Sequence, residues 1–451
     1  MRKWTWIALA IFAAVLGAAG WVYAQYRQAI APAAQAPLDA AQAERATRFM
    51  ESMERGAFDD AHAMFDARAK AALPPDKLGE VWNTLPKQLG GPGRRGPARG
   101  IAVGGTPLVA FRIEYPMMPI EARIGFDADG AIHTFRMVPA APQPAAPPPP
   151  DAPYAEIDFE VDGLPGTLAL PRGEGPFPAV VLVHGSGPHD RDETIGPNKP
   201  FRDVARGLAA RGIAALRYDK RTFARPKDFA GDFTVDLETV DDAVAAISAL
   251  RGERAIDPAR VYLAGHSLGA MMAPRIAARA EGLAGVVLLA APARPLVDVV
   301  PEQVRYLAAL EDGVSDAEQA QIALIDAQAA ATRAIGDTDP PRESLLLGLP
   351  AAYWRDLAGY DPVAVQGEST LPLLVLQGGR DYQVTPAADF ARWQAAFDGD
   401  ARAELVLFPS LNHLFIAGEG PPGPAEYLRG GEVDGTVVAT IADWLGRRTA
   451  R

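Results

Sequence analysis

The chain has 451 residues, 49% of them hydrophobic and 22% charged, with a formal net charge of -12 and no cysteine. That length and composition suit a globular protein of two folded units with ample material for a large core. The acidic balance, with no basic patch beyond the amino terminus, argues against nucleic acid as a partner, and the missing cysteines exclude disulfides, a thiol nucleophile and thiolate metal ligands.

Arg2 and Lys3 precede an apolar run from Trp4 to Ala24. This is the pattern of a secretory signal cleaved after Ala24, or of a retained anchor with Trp21 and Tyr23 at the interface. Residues 1–29 are therefore expected to be a signal peptide or membrane anchor, and the protein to be exported, periplasmic or extracytoplasmic. The Ala-, Pro- and Gln-rich residues 30–41 read as a tether.

Over residues 42–139 the chain predicts a small α+β unit. Ala46, Phe49, Met50, Met53, Phe58, Ala61, Met64 and Phe65 return at helical spacing, and Pro74 and Pro75 interrupt them. After the Gly-Gly-Pro-Gly turn at 90–93, runs beginning at Ile101, Pro107, Ile120 and Ile132 read as short strands, with Asp127–Gly130 turning between the last two. Helices followed by a meander resemble the small cone-shaped units of the nuclear-transport-factor-like kind. His62 and His133 have no evident partners and read as structural. Residues 140–153 contain seven prolines, which favour extended polyproline geometry and mark a linker.

From residue 154 to 451 the pattern changes again. Two alternating runs, Tyr154–Val161 and Gly166–Pro171, suggest an opening hairpin. Continuous apolar runs follow at Pro178–His184, Ile213–Tyr218, Val261–Ala264, Ala284–Ala290, Leu371–Gln377 and Ala403–Phe408, as expected of strands buried on both faces. Helical segments separate them, so the expected fold is α/β: a mostly parallel sheet with helices on both faces. Between 291 and 368 the alternation stops, and Ala-, Gln- and Leu-rich helical patterns predict a cap over the carboxyl edge of the sheet. Its conspicuous aromatic residues, Tyr353 and Trp354, could line a substrate pocket, although packing is the favoured role.

The strand Val261–Ala264 ends in Gly265-His266-Ser267-Leu268-Gly269, and a helix follows at once. A serine on so sharp a turn needs neighbours without Cβ atoms, and its hydroxyl then stands at the carboxyl end of the sheet. The plain alternative is a βα turn in which Ser267 caps the helix. A serine hydroxyl needs a base to accept its proton and a third group to orient that base. His413, in the loop after the last strand, is the best base. Asp381, after the strand Leu371–Gln377, is the best orienting acid, against an alternative as a turn cap. His266 should point away from the hydroxyl, and His184 and His189 lie in another loop. That loop, His184-Gly185-Ser186-Gly187, can turn a backbone N–H inward. The Ser186 and Leu268 N–H groups are the expected oxyanion donors, with Gly185 the neighbouring candidate; one such donor is worth about 3 kcal/mol of barrier.

Residues 152–451 thereby resemble an α/β-hydrolase of the bacterial esterase and dienelactone-hydrolase-like group. The nucleophile elbow matches 265–269, the acid Asp381 and the histidine His413. The loop HGSGPHDRDETIGPNKPF, from His184 to Phe201, resembles that of a bacterial esterase subgroup. The resemblance implies hydrolysis of short or medium acyl esters through an acyl-enzyme, with a small-molecule substrate and neither metal nor organic cofactor. A peptidase or amidase, a thioesterase, and a non-catalytic membrane-tethered binding protein are the competing readings. The Asp190-Arg191-Asp192-Glu193 cluster could contact substrate through Arg191, but an internal network fixing the oxyanion loop and seating the cap is favoured, and no ligand set for a metal is evident.

Overall fold

The computed structural model describes residues 34–449, apart from 90, 117–118, 141–145 and 311–312. The expected signal or anchor at 1–29 lies outside these residues. Among the described residues no helix is long and apolar enough to cross a membrane. The chain divides near residue 145 into two compact units, as the proline-rich stretch suggests.

The first unit packs four helices, α1 (Ala40–Glu54), α2 (Phe58–Ala63), α3 (Ala67–Ala72) and α4 (Pro75–Gln88), with a five-stranded antiparallel sheet. Its strands, in spatial order, are β1 (Ala34–Gln35), β2 (Arg94–Val103), β3 (Thr106–Glu114), β4 (Ile120–Phe126) and β5 (Ile132–Pro139). Helix α1 starts on Asp39, whose carboxylate accepts the Gln42 N–H, and buries the periodic Phe49, Met50 and Met53 with Val109, Phe111 and Ile124. Two details depart from expectation. Residues 34–35, read as tether, pair with β2 at the edge of the sheet. Strand β2 starts seven residues before Ile101, because the segment Arg94–Gly100 lacks alternation and hides its ladder. Its Pro97 sits where the register with β3 shifts, between Arg95 and Ala98, the bulge position that a residue without an N–H tolerates.

The second unit is built on eight strands. They are β6 (Tyr154–Val161), β7 (Leu164–Pro171), β8 (Phe177–Val183), β9 (Ala214–Tyr218), β10 (Ile256–His266), β11 (Leu283–Leu289), β12 (Leu373–Gly378) and β13 (Ala403–Phe408), in the order β13-β12-β11-β10-β8-β9-β7-β6. The hairpin β6–β7 is antiparallel and joins antiparallel to β9; every other pairing is parallel. The apolar runs follow from the period of two. Val181 and Val183 of β8 and Val261 and Leu263 of β10 enter one core, whereas Val180, Leu182, Tyr262 and Ala264 enter the core on the opposite face. Both faces are covered, so neither set can be polar.

The connecting helices are α5 (Pro200–Ala209), α6 (Arg221–Ala224), α7 (Asp241–Arg251), α8 (Leu268–Arg279), α13 (Ala391–Ala396) and α14 (Gly435–Thr449). A π-helical turn, Asp236–Val240, leads into α7. Between β11 and β12, in the interval read as a cap, the chain forms the helices α9 (Leu296–Ala308), α10 (Asp316–Arg333), α11 (Ala351–Leu357) and α12 (Pro362–Glu368). Helix α10 opens with a reciprocal capping box between Ser315 and Glu318, which satisfies two otherwise orphaned N–H groups.

Candidate active site

Ser267 stands between β10 and α8 with φ 52 and ψ -117, a strained backbone for a residue with a side chain. Its N–H donates to the Leu289 carbonyl of β11 and its carbonyl accepts the Met271 N–H, each at 2.9 Å. The capping alternative fails, because the Ser267 side chain makes no cap bond to α8. The flanking glycines are demanded by close approach. A Cβ on Gly269 would collide with the Val183 and His184 carbonyls at the end of β8, and one on Gly265 with the carbonyl of Gly269. Leu268, buried, opens α8, so its N–H lies at the positive end of that helix.

Asp381 and His413 come together. His413 Nδ1 lies 2.7 Å from Asp381 Oδ2, with both side chains buried. Asp381 also fills the turn-capping role: its Oδ1 accepts the N–H groups of Gln383 at 2.8 Å and Val384 at 3.0 Å. The Gln377 amide donates to Oδ2 at 3.0 Å. One carboxylate oxygen thus holds its own loop while the other faces the imidazole. A proton on Nδ1, given to the carboxylate, leaves Nε2 of His413 as the acceptor. The His413 loop is shaped by Asn412, whose Oδ1 accepts the Leu414 N–H at 3.0 Å and the Ile416 N–H at 3.2 Å.

His266 ties this loop to the elbow. Its Nε2 is 3.0 Å from the His413 carbonyl and its Nδ1 is 3.0 Å from Glu193 Oε1. Glu193 Oε1 also accepts the Gly185 N–H at 2.7 Å. Burial opposes the charge on both partners. Even so, the facing His266 holds the Glu193 carboxyl down at about 2, and Glu193 in turn raises His266 above its ordinary value, each partner favouring the charged form of the other. Burial drives His184 the other way, to about 3, and lowers His189 as well. Both rings are therefore neutral near pH 7, with Nε2 3.1 Å from the Asp190 carbonyl and 2.8 Å from the Ser186 carbonyl respectively.

The acidic cluster after this turn is an internal network. Asp190 accepts the Thr194 N–H at 2.9 Å and its hydroxyl at 2.7 Å. Arg191 forks onto Asp219 at 3.0 and 3.1 Å and reaches the Gly166 carbonyl and the Thr167 hydroxyl. Asp192 sits between Arg217 at 2.6 Å and Lys199 at 3.2 Å. Three residues offered as substrate contacts are thus engaged within the protein. Tyr353 and Trp354 are likewise buried, the Tyr353 hydroxyl donating to Glu238 at 2.8 Å and the Trp354 indole to the Leu346 carbonyl at 3.2 Å. Among the described residues no group of three or more His, Asp or Glu side chains converges as a metal site. Reading the sequence missed Lys220, Glu238, Gln377 and Asn412, polar side chains that carry no motif, and it singled out Glu193 only as part of the acidic cluster, without its histidine partner. The only available signal was that Lys220 and Glu238 flank apolar runs.

A strand–serine–helix elbow and an Asp–His pair at the carboxyl end of a parallel sheet define a class, and the family model described as "Alpha/beta hydrolase family" matches residues 180–422. The chain belongs to the alpha/beta hydrolase family. Among individual proteins it is similar to Esterase EstD of Thermotoga maritima, with 37% identity over 411 residues that cover 89% of this chain and 95% of that one. That span exceeds the second unit alone and reaches well into the first. Solved structures that it matches include Est1E from Butyrivibrio proteoclasticus, with 16% identity, 66% of this chain and 99% of that one covered, and a TM-score of 0.41. The Pyrococcus furiosus esterase Pf2001 matches with 14% identity, 68% and 93% coverage and a TM-score of 0.40.

Proposed function

We propose that this chain hydrolyses carboxylic esters of short or medium acyl groups through an acyl-enzyme on Ser267. The observation that carries this reading is the 2.7 Å bond between His413 Nδ1 and Asp381, in a chain whose serine occupies a strained elbow and whose relative is an esterase. His413 Nε2 removes the Ser267 proton as the hydroxyl oxygen attacks the ester carbonyl. The carbonyl π pair moves onto oxygen, and the N–H groups of Ser186 and Leu268 bind that oxyanion. The C–O bond to the alcohol then breaks as His413 returns the proton to the leaving oxygen. Water, deprotonated by the same ring, repeats the sequence on acyl-Ser267. Asp381 orients the ring and offsets its charge in both halves. Of the two candidate donors in the glycine loop we take Ser186, whose peptide oxygen, the Gly185 carbonyl, is fixed by Lys220 at 2.8 Å.

An export role for residues 1–29, placing the enzyme outside the cytoplasm, belongs to the same proposal, and cell fractionation with an antibody against the second unit tests it. For the first unit, helices followed by an antiparallel sheet support the nuclear-transport-factor-like reading. The enzymatic test is turnover of a panel of p-nitrophenyl esters, thioesters and peptides, with labelling by a fluorophosphonate. Ser267→Ala should lose labelling and at least about 10^4-fold in kcat with the fold retained. Full activity in that variant removes the serine mechanism, and faster turnover of peptides than of esters replaces esterase by peptidase.

A further inference from the structure

Lys220 is buried in the second unit, at 2% exposure, and no step of the mechanism above uses it. Its ammonium lies 2.8 Å from the Gly185 carbonyl oxygen and 2.7 Å from Glu238 Oε1. The second oxygen of Glu238 accepts the Tyr353 hydroxyl at 2.8 Å, and Tyr353 belongs to α11 of the cap. The chain of contacts therefore runs from cap to loop: Tyr353, Glu238, Lys220, Gly185.

The Gly185 carbonyl and the Ser186 N–H are two ends of one peptide group. Because that group is planar and trans, its C=O and N–H point in opposite directions. A cation that fixes the oxygen thereby fixes the line along which the Ser186 N–H points. It also draws electron density toward the carbonyl, which strengthens the N–H as a donor. Glu193 holds the preceding peptide by the Gly185 N–H at 2.7 Å. Gly185 has no Cβ to restrict its torsions, so the two charged side chains supply the restraint that the backbone lacks.

We propose that Lys220 is a positioning residue for the oxyanion hole, aiming and polarising the Ser186 N–H through the Gly185 carbonyl, and that the cap sets this aim through Tyr353 and Glu238. The proposal rests on Ser186 being an oxyanion donor to a substrate held at Ser267. It gives the cap a part in rate as well as in substrate choice. Losing an oxyanion donor outright costs about 10^2- to 10^3-fold in kcat, and a misaimed one costs part of that.

The test compares the full chain with Lys220→Met/Glu238→Gln, Lys220→Arg, Tyr353→Phe and Ser267→Ala. The double variant removes both charges together, so no unpaired ion is left buried. Turnover of p-nitrophenyl butyrate is measured per fluorophosphonate-titrated site, beside inhibition by a short aliphatic trifluoromethyl ketone, which forms a tetrahedral oxyanion on the serine. In the double variant kcat and kcat/KM should fall together by about 30- to 100-fold, with the ketone inhibition constant rising by the same factor. Lys220→Arg should recover part of both. Tyr353→Phe, which leaves the ion pair intact and needs no refolding of the core, should lose about three- to tenfold in both quantities. A lowered Tm with unchanged kcat and unchanged ketone inhibition in the folded variants overturns the proposal. If the double variant does not fold, wild-type values in Tyr353→Phe overturn it alone. Activity retained by Ser267→Ala would instead overturn the reading beneath it, so the two failures are distinguishable.

Discussion

The loops after β12 and β13, which carry Asp381 and His413, contain turns closed by hydrogen bonds that reach only a few residues along the chain, beside longer links such as His266 to the His413 carbonyl. Asp381 bonds the N–H groups of Gln383 and Val384, Asn412 those of Leu414 and Ile416, and Gln377 reaches Asp381 and the Val384 carbonyl. The loop after β8 is held from a distance and by charge. Glu193 pairs with a histidine 73 positions away, Lys220 reaches back 35 positions to Gly185, and Arg217 reaches back 25 to Asp192. Local turns form with the loop itself and do not depend on protonation. Distant ion pairs form only once the sheet is assembled, and they couple the loop to pH and to the cap.

Three changes would break or sharpen this contrast. The largest effect is expected on the locally held side, from Asp381→Asn. The bonds from the Gln383 and Val384 N–H groups can survive, since an amide oxygen still accepts them, but the new NH2 faces the Gln377 donor and the imidazole loses its charge partner and tautomer; kcat should fall by about 10^3- to 10^4-fold with a much smaller effect on Tm. A large loss of stability instead would show that the charge also holds the turn. Next is Gly269→Ala, at the junction where the elbow meets the end of β8. The added Cβ collides with two carbonyl oxygens, and urea unfolding should report about 3 kcal/mol of lost stability. Smallest per unit of pH is a slope on the charge-held side. His184 has a folded value of about 3 against an ordinary 6.5, so the unfolded chain takes up a proton that the folded chain refuses. Stability should therefore decline as pH falls from about 6.5 toward 3, by up to about 1.4 kcal/mol per pH unit for that one ring. His184→Gln should flatten the slope of the urea midpoint against pH. Glu193 adds its own loss only below about 4.5, its ordinary value, as the carboxyl protonates on the way down to about 2. His266, raised by that carboxylate, loses its contribution in the other direction, as pH climbs above 6.5.

The same contrast explains what was legible in the sequence. The α/β sheet was legible because burial on both faces leaves continuous apolar runs such as Ala179–Val183 and Leu373–Leu376. Ser267, Asp381 and His413 stood out as candidates because each follows such a run, and the structure brings the last two within 2.7 Å. The clash that demands Gly269 leaves a mark in the sequence, whereas a lysine that will lie beside a carbonyl 35 residues back looks like any other lysine. Lys220 and Glu238 were invisible for that reason. Strand β2 escaped for another: the ladder of Arg94–Gly100 is made by the backbone, and its side chains record only partial burial. Tyr353 and Trp354 stood out as aromatic residues, yet size alone does not separate a pocket wall from a packed hydroxyl bonded to Glu238.

The placement of β13 bears on how the protein is made. It is the last strand in sequence and the edge of the eight-stranded sheet, and His413 follows it. His266 meets its acceptor, the His413 carbonyl, across 147 positions. In a chain emerging from the ribosome Ser267 thus appears long before His413, and β13 can dock on an open edge of the sheet without prising apart strands already paired.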